Sequence, residues 1–119
     1  MTEAGNRVCL EGTVLPDREQ RWTPAGLPIV RFALEHSSRV TVAGLERVVQ
    51  CRLTVVALGE ELARQAQALP DGGPCRVDGL LAQRVRRRPG QEPVFGRTEL
   101  HATALAPLDH SDESASTTE

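Results

Sequence analysis

A chain of 119 residues is the length of one domain, enough to bury a modest aliphatic core without disulfide or metal staples. With one Trp, two Phe and no Tyr, any aromatic stacking platform is small; Lys is absent, so fourteen Arg supply all the strong positive charge, each a planar guanidinium suited to phosphates. The formal charge of −2 belongs to the C-terminal end: Asp109, Asp112, Glu113 and Glu119 stand there without a base, and without them twelve acids face fourteen Arg, a net +2.

Along the chain, residues 7–15 alternate as a strand, with Val8, Leu10, Gly12 and Val14 on one side. Residues 16–26 are turn-rich, carrying Pro16-Asp17 and Thr23-Pro24-Ala25-Gly26. From Ile29 to Val40, Val30, Phe32 and Leu34 face one way and Arg31, Ala33 and Glu35 the other. A loop with Ala43-Gly44 is expected over 40–45, and residues 46–57 then turn Val49, Cys51, Leu53 and Val55 inward, with Gln50, Arg52 and Thr54 outward. Between Gly59 and Leu69 the period changes: Leu62, Ala66 and Leu69 predict a short amphipathic helix closed by Pro70-Asp71-Gly72-Gly73. Strands return at 75–85 and 94–106, and beyond Pro107 the Ser, Thr and acid composition is too polar for a packed core. The expected fold class is all-β: a five-stranded OB-fold, a Greek-key barrel, over residues 1–108, with one helix between the third and fourth strands and a disordered acidic tail at 109–119. Five strands interrupted by a single helix fit that barrel better than a sandwich or a doubly wound α/β sheet.

Between the last two strands lies Arg84-Val85-Arg86-Arg87-Arg88, followed at once by Pro89-Gly90. A Pro-Gly break between alternating runs reads as a hairpin tip. Four cations so close repel one another and need solvent, counterions or a polyanion, so an arginine-tipped hairpin on a β-domain suits a phosphate backbone; a merely solvated turn is the plainer reading. Arg39, Arg47 and Arg52 are the supporting candidates along the second and third predicted strands, and Arg18, Arg21 and Trp22 in the turn-rich segment complete the nucleic-acid set. Trp22 suits base stacking and packing equally well; Phe32 belongs to the core, and Phe95 near the hairpin suits packing better than base stacking.

Other chemistry is not called for. Cys9, Cys51 and Cys75 are far apart in sequence and odd in number, form no CxxC or Cys/His cluster, and are expected as buried free thiols. His36, His101 and His110 show no ligand spacing, so neither a metal nor a cofactor is implied. The chain holds no phosphate-cradling GxxxxGK[ST], GxSxG or HExxH, which argues against an enzyme. Neither a basic, apolar leader nor a membrane-length apolar run is present, so a cytoplasmic protein is expected.

Several stretches carry a family resemblance: Asn6-Arg7-Val8, Leu10-Glu11-Gly12-Thr13-Val14, Thr23-Pro24-Ala25-Gly26-Leu27-Pro28, Phe32-Ala33-Leu34-Glu35-His36, Ala43-Gly44, Cys51 and Val77-Asp78-Gly79-Leu80-Leu81-Ala82-Gln83. Over about residues 6–108 the chain resembles the primosomal replication protein N (PriB) family, bacterial relatives of single-stranded DNA-binding protein. The resemblance implies an OB-fold homodimer that binds single-stranded DNA and assists the PriA helicase and other primosome components in restarting stalled replication. It also implies aromatic residues in the loop after the second strand and at the start of the third, where this chain instead has Leu45, Val48, Val49 and Gln50. Base stacking is worth roughly 1–3 kcal/mol per base, so arginines must offset that loss. The other reading of the same features is an OB-fold adaptor that docks on a helicase or another replication protein and touches DNA weakly.

Overall fold

The computed structural model describes residues 4–108. The expected tail, 109–119, lies outside the described residues. The elements are β1 (Val8–Val14), β2 (Glu19–Trp22), β3 (Pro28–Val42), β4 (Leu45–Leu58), α1 (Glu60–Ala68), β5 (Pro74–Arg86) and β6 (Val94–Pro107). The strands form one sheet in the order β1-β5-β6-β4-β3-β2, and a short β1–β3 pairing at Thr13–Glu35 and Val14–Leu34 closes it into a barrel of β1, β3, β4, β5 and β6. This is the five-stranded barrel expected from the alternation, with its helix in the expected slot.

Two local features differ from the sequence reading. The turn-rich segment contains a short four-residue ladder, β2, pairing Glu19–Trp22 with Pro28–Arg31 along the outer edge of β3. Four residues are too few for alternation to stand out between two turns. The 40–45 loop is also shorter than expected: β3 runs to Val42 and β4 starts at Leu45, leaving a two-residue turn with φ of 53° at Ala43 and 78° at Gly44. Positive φ at both central residues matches the twist of the flanking strands, so the ladder continues to the tip.

The core is aliphatic. Val14, Val30, Phe32, Leu34, Val55, Ala57, Cys75, Val77, Leu100, Ala102 and Leu105 fill the barrel, and Ala63, Ala66 and Leu69 bring α1 against it. The helix packs on β3, β4 and β6, and its expected stripe is shifted: Ala63, Ala66 and Leu69 are buried, and Leu62 packs at the margin. No helix among the described residues is long and apolar enough to cross a membrane.

Closing so small a barrel forces strands into close approach at two glycines. A Cβ on Gly12 would stand 2.3 Å from the Glu35 carbonyl oxygen, and one on Gly79 2.1 Å from the His101 carbonyl oxygen. At Gly79 the β5–β6 register also shifts, pairing Asp78 with Ala104 but Gly79 with Ala102. Such bulges bend a strand and increase its twist.

The cysteines correct the expectation of three buried thiols. Only Cys75 is buried; Cys9 and Cys51 are exposed. Cys51 follows the inward pattern of β4 but lies beyond the barrel, where that face is uncovered, and Val49 is 40% exposed for the same reason.

Candidate nucleic-acid interface

The barrel holds together two long hairpins. β4 and β6 pair in parallel only at Thr54–Val56 with Glu99–His101, so both hairpins project past that contact in the same direction. In the first, β4 runs from Leu45 to Leu53 before meeting β6, an arm of about 30 Å against β3. The second is the β5–β6 hairpin. Its ladder ends at Arg86–Val94, and its loop contains a turn in which the Gln91 amide donates to the Arg88 carbonyl at 3.1 Å. Pro89 follows Arg88, and Gly90 has φ 75°, the pattern of a type II turn. The Pro-Gly tip is therefore where the sequence places it.

Register decides which arginines act together. In the barrel Val30, Phe32 and Leu34 point inward, so Arg31, Ala33 and Glu35 point outward. The outward set continues along the first arm as Ser37, Arg39 and Thr41, facing Gln50, Val48 and Glu46, with Arg52 directly opposite Glu35. Thr54 in the same set pairs with Glu99, which pairs with Ala82, and two and four residues beyond Ala82 are Arg84 and Arg86. Arg39, Arg52, Arg84 and Arg86 thus share one face of the sheet. A second register shift, between Gln83 and Val85, sets Gly96 and Arg97 opposite Arg84, and Gln83 Nε2 donates to the Gly96 carbonyl at 2.6 Å. Arg97 joins the outward set. Sequence reading passed over it because it lies in an ordinary alternating run. Arg87 and Arg88 lead from this face into the loop.

The remaining candidates lie elsewhere. Arg47 is on the opposite face of the first arm, across from Val40 and in line with Leu45 and Val49. Trp22, 64% exposed, pairs with Pro28 at the end of β3 remote from Arg39. Arg21 is beside it and pairs with Glu19 at 3.1 Å. Arg18 has a structural role: its Nη1 donates to the Ala66 carbonyl at 2.6 Å and its Nη2 to Asp71 at 2.5 Å, with the side chain 13% exposed. The same carbonyl accepts the Leu69 amide at 3.3 Å, so Arg18 adds a second donor at the end of α1. Arg31 is likewise tied to Glu99 at 3.2 Å in a partly covered pair. Phe95 does not pack; it is 57% exposed opposite Val85, on the face away from Arg84.

Two of the thiols, Cys75 and Cys9, are poorly suited to act as nucleophiles. Burial pushes Cys75 up to about 11, and a hydrogen bond with Asp78 raises Cys9 above its ordinary value. Among the described residues no group of His, Cys, Asp and Glu is placed to hold a metal ion.

Residues 6–96 match the profile of a family described as another single-strand binding protein family. The replication restart protein PriB of Proteus mirabilis is 31% identical over 107 residues, covering 90% of this chain and 97% of that protein. PriB of Vibrio vulnificus is 37% identical over 97 residues, covering 82% and 92%. The chain belongs to the PriB family of single-strand binding proteins. Among solved structures, PriB from Ralstonia solanacearum superposes with a TM-score of 0.68 at 29% identity, covering 89% of this chain and all of that one. The single-strand binding protein of Plasmodium falciparum, solved with single-stranded DNA, shares the fold with a TM-score of 0.71 at 19% identity. Within this family fold, the first arm presents aliphatic side chains at its exposed positions: Leu45 is 67% and Val48 60% exposed.

Proposed function

We propose that this protein is a non-catalytic single-stranded DNA-binding accessory of replication restart, acting in the cytoplasm with the PriA helicase and other primosome components. Residues 1–108 form the binding domain. The observation that carries this reading is the outward face shared by the two arms, which brings together Arg39, Arg52, Arg84, Arg86 and Arg97 next to Arg87 and Arg88. PriB relatives named for replication restart and the single-strand binding family profile support it.

With guanidiniums and almost no aromatic surface on that face, binding is directed at phosphates and indifferent to base sequence. Four phosphate contacts through Arg84, Arg86, Arg87 and Arg88 make log K fall with log salt at a slope of roughly −3, about −0.7 per contact. Fluorescence anisotropy of a labelled oligonucleotide across a salt series measures it. A slope near zero rejects the electrostatic mechanism, and absence of binding leaves the adaptor reading in its place.

The protein is proposed to act as a homodimer. β1 pairs with β5 from Val8 to Thr13 but with β3 only at Thr13 and Val14, so the second edge of Val8–Gly12 has no partner among the described residues. An open edge is a template for pairing with another chain. Light scattering is expected to give about 26 kDa, twice the 12.9 kDa chain; a stable 12.9 kDa species at micromolar concentration rejects the dimer.

A further inference from the structure

On the outward face of the first arm, both guanidiniums already have a carboxylate. Arg52 Nε donates to Glu35 Oε2 at 2.8 Å straight across the ladder, and Arg39 Nη1 lies 4.0 Å from Glu46 Oε2 on the diagonal. All four side chains are open to water: Arg52 and Glu35 are 70% and 43% exposed, Arg39 and Glu46 67% and 69%. The second arm is built differently. Among the described residues Arg84, Arg86, Arg87, Arg88 and Arg97 form no ion pair with a carboxylate. One face thus carries two classes of cation: unpaired guanidiniums on the β5–β6 arm and carboxylate-latched ones on the β3–β4 arm.

We propose that Glu35 and Glu46 are built-in phosphate mimics that hold Arg52 and Arg39 back from nucleic acid. The β5–β6 arm then grips the strand, and the β3–β4 arm adds to it only where a phosphate displaces a carboxylate. The inference rests on the reading of the outward face as the DNA-binding face. An exposed ion pair holds its partners only weakly, so exchange for a phosphate is open to it. The displaced carboxylate nevertheless stays on the adjacent strand, about 5 Å away at Cβ where the pair is directly opposite, as Glu35 and Arg52 are, and about 7 Å away on the diagonal, as Glu46 and Arg39 are. It repels the incoming phosphate and cancels much of the gain. The strand can therefore leave the first arm without leaving the second, which suits an accessory protein that passes DNA onward.

The test is E35Q/E46Q, which keeps side-chain shape and removes both charges, in anisotropy titrations with a labelled oligo-dT across a salt series. Affinity is expected to rise about tenfold at about 0.1 M salt, with the slope steepening from roughly −3 to roughly −4 as two phosphate contacts are added. Adding R39A/R52A to that variant is expected to abolish the gain. The matched control is E60Q/E61Q, which removes two carboxylates and frees Arg64 from Glu61, but on α1, beyond the end of β4 opposite the arm tip. It is expected to leave affinity within about twofold, because charges separated by more than a Debye length are largely screened. Equal gains in the two double variants overturn the proposal in favour of net charge, and an unchanged affinity and slope in E35Q/E46Q overturns it outright. Failure of the parent protein itself to bind would reject the DNA-binding reading on which the proposal stands.

Discussion

Replacing Arg84, Arg86, Arg87 and Arg88 together with alanine is expected to lower affinity for single-stranded DNA on the order of a hundredfold at about 0.1 M salt. Each lost contact removes a counterion-release contribution of about −0.7 from the salt slope, so the variant's slope should become shallower than about −1. The fold should survive. Arg84 and Arg86 are exposed at the end of the β5–β6 ladder, Arg87 and Arg88 lie in its loop, and none makes an ion pair among the described residues. Exposed substitutions of that kind usually change stability by about 0.5 kcal/mol or less. A salt series on parent and variant, with thermal unfolding of both, checks the two halves. If the variant binds as tightly as the parent, the hairpin is a solvated tip or a protein-docking surface, and the adaptor reading becomes the better one.

Gly79→Ala is expected to produce the largest loss of stability for the smallest chemical change, about 3 kcal/mol, or a fall in Tm of roughly 12 °C. The new methyl group would stand 2.1 Å from the His101 carbonyl oxygen and 3.1 Å from the Ala102 Cα. Both are backbone atoms of the paired strand β6, so no rotamer change relieves the overlap. β5 and β6 would have to separate at the bulge that helps to curve them around Leu100 and Val77. Gly96→Ala, on the same pair of strands, is the control. Its methyl group would meet the Arg84 carbonyl oxygen at 3.6 Å, ordinary van der Waals distance, and its expected effect on Tm is small. Thermal unfolding by circular dichroism compares them. Equal melting of Gly79→Ala and the parent would show that the barrel yields at this point and that the close approach is not a requirement of closure.

The separation between what sequence and tertiary structure decide runs through particular residues. Alternation in Val30, Phe32 and Leu34, and in Val55 and Ala57, determined strands and their buried side, because a period of two has one apolar face whatever its neighbours are. The change of period after Gly59 determined the helix and its slot, and with it the barrel. Arg84 to Arg88 before Pro89-Gly90 determined a charged hairpin tip, since proline and glycine specify that turn locally. Val49 and Cys51 show the limit: they continue the inward pattern, yet they are exposed, because alternation is the same in a covered strand and in one that projects past its barrel. Only the β4–β6 pairing, which ends at Thr54, decides where cover stops. The same pairing, with the shift at Gln83–Val85, puts Arg39, Arg52, Arg84, Arg86 and Arg97 on one face, whereas Arg47, an odd number of residues from Arg52 on β4, falls on the other by alternation alone. Arg18 and Arg97 show the same limit: the first is held by a helix end 48 residues away, and the second, two residues from Glu99 on β6, shares the outward face of the arms only through the β4–β6 pairing. Local sequence sets which way a side chain points relative to its own strand. Which faces coincide, and which arginines are already occupied, depends on contacts between residues far apart in the chain, and those exist only once the barrel has closed.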